Sequence, residues 1–169
     1  WMTGLPCSGK TTISRKLSKH ISNLAVLDGD EIREWLSPNE DFSRSSINKH
    51  NKKVVNLAKL LLDHNVSVCV SKINPFVEDR EDARKILKNH NFIEVYVKCS
   101  LEVCETRDVK GMYKKARTNE INNFIGIHVN YEPPTNPELI VDTENSPIDN
   151  SMQIILDYLN ENKIIKNPA

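Results

Sequence analysis

The stretch Gly4-Leu5-Pro6-Cys7-Ser8-Gly9-Lys10-Thr11, followed by Thr12, narrows what this chain can fold into more than any other, because it fits GxxxxGK[ST]. Two glycines let a backbone curl so that successive N–H groups face inward, forming a cradle for the phosphate oxygens of a nucleotide. Gly4 through Thr12 are therefore read as the ATP-binding stretch, with Lys10 reaching the β- and γ-phosphates and the Thr11 hydroxyl as a Mg²⁺ ligand. Such a loop needs a strand before it and a helix after it. Trp1-Met2-Thr3 reads as the tail of a buried strand, and Ile13, Leu17 and Ile21 recur as the inward face of a helix. Three residues are few for a central strand, so further residues are expected before Trp1.

The rest of the chain continues the alternation. Ala25 to Leu27, Val66 to Ser71, Phe92 to Val97 and Leu139 to Val141 are short, β-branched runs. Between or after them come Val54, Leu57, Ala58 and Leu61, then Ala83, Ile86 and Leu87, then Met152, Ile155, Leu156 and Leu159, all at helical spacing. The pattern predicts an α/β fold: one domain over residues 1–169, with a five-stranded parallel sheet and helices on both faces. Ligands in such folds collect beyond the carboxyl ends of the strands. Lysine plus arginine equals aspartate plus glutamate at 23 each, which gives no case for nucleic-acid or membrane attraction. Four cysteines without CxxC spacing read as reduced thiols in a cytoplasmic protein, and no apolar run approaches the roughly 20 residues of a membrane helix.

Three further segments carry candidate chemistry. Asp28-Gly29-Asp30 with Arg33 follows the second strand; a carboxylate there could hold Mg²⁺ through water or take a proton from an attacking hydroxyl, or Asp30 could simply cap a helix. Ile73-Asn74-Pro75-Phe76, with Asp79-Arg80, follows the third strand and reads equally as a site or as an ordinary strand-to-helix turn. Arg107 to Arg117 holds five cations in eleven residues around Gly111, as a mobile lid over phosphates would, or as a solvated helix face would. Phe124 could stack on a base or belong to the core.

Together these blocks resemble the adenylylsulfate (APS) kinases, P-loop enzymes that use MgATP to phosphorylate the ribose 3′-hydroxyl of adenylyl sulfate. The matching residues are Gly4 to Thr12, Asp28 to Asp30 with Arg33, Ile73 to Arg80, and a block from Phe92 to Asp142 that includes Lys110-Gly111, Tyr113 to Arg117, Gly126-Ile127 and Asn136-Pro137. The resemblance implies that Lys10 and Asp30 are catalytic and that Arg107 lies against the ATP purine. It implies an acceptor site of Asp28, Asp30, Arg33, Phe42, His50, Asn74, Pro75, Phe76, Lys110, Tyr113 and Phe124, with Phe42 and Phe124 sandwiching the base. It also implies a small nucleotide acceptor as partner and a homodimer.

The chain departs from the family pattern in one segment. Where the family reads Asp-Arg and then Asn-Ile-Arg-Arg, this chain has Ser46-Ile47-Asn48-Lys49-His50-Asn51-Lys52-Lys53, and the usual Phe-Ile-Ser-Pro is Lys72-Ile73-Asn74-Pro75. An isoleucine cannot bind an anion and a lysine does not reproduce a bidentate guanidinium. Neutral His50 or the Asn74 carbonyl could instead accept a hydrogen bond from an amine. The expectation is therefore a divergent member resembling cytidine diphosphoramidate kinase, which serves capsule biosynthesis, with adenylyl sulfate as the alternative acceptor and a non-catalytic nucleotide-binding module as a third reading. A GTP switch is excluded, because Asn48-Lys49-His50-Asn51 lacks the final aspartate of NKxD.

Overall fold

In the computed structural model, which describes residues 1–165, all five strands are parallel. They are β1 (Met2–Thr3), β2 (Leu24–Asp28), β3 (Ser67–Ser71), β4 (Val95–Lys98) and β5 (Leu139–Asp142), in the order β2-β3-β1-β4-β5. Met2 pairs with both Ser71 and Val95, so the short β1 sits in the middle of the sheet. The helices are α1 (Lys10–His20), α2 (Gly29–Leu36), α3 (Arg44–Asp63), α4 (Val77–Ile86), α5 (Leu101–Arg107), α6 (Met112–Arg117) and α7 (Ile148–Glu161).

Successive strand residues point to opposite faces, and both faces are covered. Ile13, Leu17 and Ile21 of the α1 segment pack with Ile155, Leu156 and Leu159 of α7 against Met2, Cys69, Val95, Val97 and Val141. On the other face Leu27 and Val70 meet Ile32 of α2 and Val54 and Ala58 of α3. Val55, Ala83 and Leu87 close the seam between α3 and α4 with Trp1 and Phe92.

The sequence-predicted elements are all present, with differences that have local causes. Ile86 is exposed and does not join the inward face of α4. Phe92 lies before β4 because its ring stacks on Trp1, centroids 5.6 Å apart. Helix α3 begins ten residues before Val54, where the Ser43 hydroxyl accepts a hydrogen bond from Ser46 N and caps it. The divergent stretch from Ser46 to Lys53 is thus the first half of a helix, not a loop.

The chain runs from β1 outward to β2 and β3 on one side and to β4 and β5 on the other. The segments after β1, β2, β3 and β5 therefore converge at one carboxyl edge. At that edge Gly4 passes so close to β4 that a Cβ on it would lie 2.5 Å from the Val97 carbonyl oxygen and 2.9 Å from Ser8 Oγ. Gly4→Ala is expected to force a backbone shift costing about 1–3 kcal/mol, lowering the melting temperature by roughly 2–4 °C per kcal/mol. A thermal melt unchanged from wild type would show that the loop yields freely.

Candidate active site

The loop from Gly4 to Gly9 turns back on itself through Cys7 at φ 62° and Gly9 at φ 100°, a left-handed backbone that Gly9 adopts without strain. Lys10 opens α1, and its ammonium, nearly buried, donates to Gly4 O (2.9 Å), Leu5 O (2.7 Å) and Ser8 Oγ (3.2 Å). Burial pushes the Lys10 pKa down to about 8, with Cys7, Cys104, Asp28 and Asp30 acting against the shift. The outward carbonyls of the loop are each met from a distant segment. Tyr113 Oη donates to Pro6 O (3.0 Å), Arg107 Nη1 to Cys7 O (3.3 Å) and Thr143 Oγ1 to Ser8 O (2.7 Å).

One carboxylate joins this loop to the next strand. Asp28, at the end of β2, accepts Thr11 Oγ1 at Oδ2 (2.7 Å) and the backbone N–H of Asp30 at Oδ1 (3.1 Å). The capping role considered for Asp30 thus belongs to Asp28. Asp30 stands in the first turn of α2 with its side chain largely exposed, paired with Lys110 from the Asp108–Gly111 turn at 2.5 Å. One turn on, the Arg33 guanidinium lies 4.5 Å from the centroid of the exposed Phe42 ring and donates to Asp41 O (3.4 Å). Thr11 and Asp28 place a hydroxyl and a carboxylate oxygen side by side, hard donors of the kind Mg²⁺ takes.

Other residues predicted for the acceptor site have different partners. His50 is fully buried on α3, its Nδ1 3.0 Å from Ser37 Oγ and its Nε2 unpartnered. Burial, then the charges of Lys72, Arg33 and Lys53, push its pKa down to about 3. The Asn74 side chain is buried and donates to Met2 O (3.3 Å), while the Asn74 backbone carbonyl accepts Arg80 Nη1 (2.6 Å), so the residue braces β1. Pro75 O accepts Glu132 N (2.8 Å), and the Phe76 ring is covered by the Arg44 guanidinium at 4.2 Å. Tyr113 is fully buried in a cluster with Cys99, Cys104 and Phe124, whose ring meets its edge at 4.9 Å. Tyr113 and Ala116 anchor α6, so the cationic segment exposes the turn carrying Val109 and Lys110 and the outer face of α6 with Lys114, Lys115 and Arg117. Arg117 pairs with Glu105 and Arg107 donates to Thr143 O.

Three further residues work at this edge; of them only Asp79, in the segment after the third strand, was a candidate from sequence. Thr143, just after β5, holds both the loop and Arg107. Asp79 of α4, buried, is the hub for Arg44 (2.9 and 3.0 Å), Asn48 (2.7 Å) and Asn51 (2.8 Å). Lys72, the residue after β3, buries its ammonium against Asn51 Oδ1. Burial, then Arg33, pushes the Lys72 pKa down to about 7. Local sequence gives a signal only for Asp79, in the matched run from Ile73 to Arg80.

Comparison with known proteins fits this geometry. The family pattern described as adenylylsulphate kinase matches residues 1–142. An adenylyl-sulfate kinase of Oceanobacillus iheyensis is 44% identical over 169 residues, spanning 98% of this chain and 85% of that protein, and one of Staphylococcus epidermidis is 43% identical with the same coverage. The Mycobacterium tuberculosis APS kinase CysC, solved with AMPPNP and APS, superposes with a TM-score of 0.88 at 38% identity, over 95% of each chain. These relatives overturn the expectation of a cytidine diphosphoramidate acceptor and of a place in capsule biosynthesis. The physical reason lies in α3: Ile47 and His50, which prompted that expectation, face the protein interior.

Two measurements test this reading of the edge. Tyr113→Phe removes the donor to Pro6 O and is expected to cost about 1 kcal/mol, rising to about 3 where the carbonyl is left dry, in denaturant unfolding. His50 is held neutral in the fold but takes up a proton near its ordinary 6.5 once unfolded, so the unfolded chain binds more protons between about 3 and 6.5. Its contribution to stability is full above 6.5 and is lost as the pH falls toward 3. Melting temperature should therefore fall less steeply below pH 6.5 in His50→Gln than in wild type; parallel profiles would place the titrating group elsewhere.

Proposed function

The chain belongs to the adenylylsulfate kinase family and is an ATP-dependent kinase; from that premise we propose that it transfers the γ-phosphoryl group of ATP to the ribose 3′-hydroxyl of adenylyl sulfate. The observation that carries the reading is the continuous link from Thr11 through Asp28 to Asp30, which sets the donor loop and an exposed carboxylate at one edge. Relatives 40–44% identical that are named adenylyl-sulfate kinases support the acceptor.

In this reading the loop amides and Lys10 hold the β- and γ-phosphates. The Lys10 protons engaged by Gly4 O, Leu5 O and Ser8 Oγ are exchanged for phosphate oxygens without the side chain leaving the loop. Thr11 would hold Mg²⁺, with Asp28 next to it, and the ion would draw charge from the phosphate oxygens. The acceptor base would take the place of the Arg33 guanidinium on Phe42, with Phe124 as the second stacking face that the family resemblance implies. Asp30 orients the 3′-hydroxyl and accepts its proton as that oxygen bonds to the γ-phosphorus and the bridging bond to ADP breaks. Lys110, 2.5 Å from Asp30, is placed to follow the charge onto the phosphoryl oxygens.

The decisive assay is ADP release from MgATP with adenylyl sulfate or with AMP, which lacks the sulfate. Adenylyl sulfate should win by a hundredfold or more in kcat/KM, about 2.7 kcal/mol of transition-state preference. Equal use of the two would overturn the proposal. Lys10→Ala should abolish turnover without unfolding the protein, its circular dichroism staying native-like while the melt falls for the carbonyls left without a donor. Asp30→Asn should lower kcat by about 10²–10⁴-fold and leave ATP affinity within a few-fold; unchanged kcat would reduce Asp30 to a partner of Lys110.

A further inference from the structure

Lys72 has no part in the mechanism above, yet its position is unusual for a lysine. It follows Ser71 at the end of β3, in register with Asp28, so its backbone emerges beside the N-terminus of α2. Its stem crosses Gly29 so closely that a Cβ there would lie 2.9 Å from Lys72 Cγ. The residue is 9% exposed. Its ammonium carries three protons and donates one to a neutral oxygen, Asn51 Oδ1, and it forms no salt bridge among the described residues.

A buried ammonium with a single neutral partner is costly unless something else completes its shell. The nearest acidic candidate is already engaged. Asp79 takes Arg44, Asn48 and Asn51, and Asn51 stands between, its Nδ2 on Asp79 and its Oδ1 on Lys72. The nearby Arg33 charge is of the same sign and acts on Lys72 more strongly than the opposing charge of Asp79. Ile47, one turn before Asn51 on the same face of α3, supplies no charge. The result is an inward-reaching cation at the carboxyl edge, held in place by a neutral amide and lacking a counter-ion.

We propose that Lys72 binds the anionic 5′ end of the acceptor nucleotide and is a determinant of acceptor affinity. This rests on the reading of the site as a nucleotide 3′-kinase and names the group that supplies the charge the divergent α3 segment does not. Lys72 acts in binding: its partner is the phosphosulfate end, while the reacting hydroxyl is at Asp30. Arg33, one turn into α2, is near enough for its charge to act on Lys72, so the anion would lie between an ammonium and a guanidinium.

The test compares wild type, Lys72→Met and Lys72→Arg, with affinities measured by calorimetry on the MgADP-loaded protein. The probes are adenylyl sulfate and adenosine, which keeps the base and ribose but has no anion. Lys72→Met is expected to weaken adenylyl sulfate binding tenfold or more while adenosine binding stays within twofold, and Lys72→Arg should retain most of the adenylyl sulfate affinity. The melting temperature of Lys72→Met should not fall, because an underpaired buried charge has been removed. Adenylyl sulfate affinity unchanged in folded Lys72→Met, or equal weakening of both ligands, would overturn the role of Lys72. Absence of turnover with adenylyl sulfate in wild type would instead overturn the assigned reaction, and the binding comparison would still report whether Lys72 senses the anion.

Discussion

A backbone that turns its amides inward to meet phosphate must turn its carbonyls outward, and a carbonyl without water needs a donor. That requirement organises this protein. Pro6, Cys7 and Ser8 receive their donors from Tyr113, Arg107 and Thr143, which lie a hundred residues or more away in sequence. Gly4 and Leu5 receive theirs from Lys10. The segment after β4 and the residue after β5 are therefore as much a part of the loop as its glycines. The buried cluster of Tyr113, Cys99, Cys104 and Phe124 is the footing on which one of those donors stands. Helix α6 is short, and its place is fixed less by helix propensity than by this buried contact.

What could be read from the sequence was what local chemistry decides. Strand-helix alternation, the loop and its helix, and the carboxylates after β2 all follow from spacing over a few residues. Burial decided by distant partners was not legible. The inward face of α3 runs Ile47, His50, Asn51, Val54, Val55, Ala58, a regular helical stripe, but two of its members are polar and hide the pattern from a hydrophobicity reading. Asn74 and Tyr113 were assigned to the acceptor because they lie in matched blocks, yet each serves the scaffold through its own hydrogen bond. Lys72 gives the converse case: a lysine after a strand reads as solvent-facing, and only the neighbouring Gly29 and Asn51 show that it reaches inward.

The acceptor expectation failed for the same reason. Replacing an arginine by Ile47 looks like a lost ligand when the chain is read as a string, whereas in the helix Ile47 fills a position on the buried face of α3. A substitution near a site changes specificity only through what the surrounding elements do in response. Here Asp79 and its amide partners fix the geometry between α3, α4 and the end of β3.

The pair between Lys110 and Asp30 joins the two sides of the cleft, and both side chains are mostly in water. Exposed pairs of this kind contribute about 0.2–1 kcal/mol, and mobile ions weaken them on a length scale of about 8 Å at physiological salt. The strength of this link between α2 and the Asp108–Gly111 turn is therefore set by the surrounding electrolyte. In the proposed reaction the acceptor hydroxyl would compete with one solvated ammonium for this carboxylate, replacing a contact where an unpaired carboxylate would have to create one.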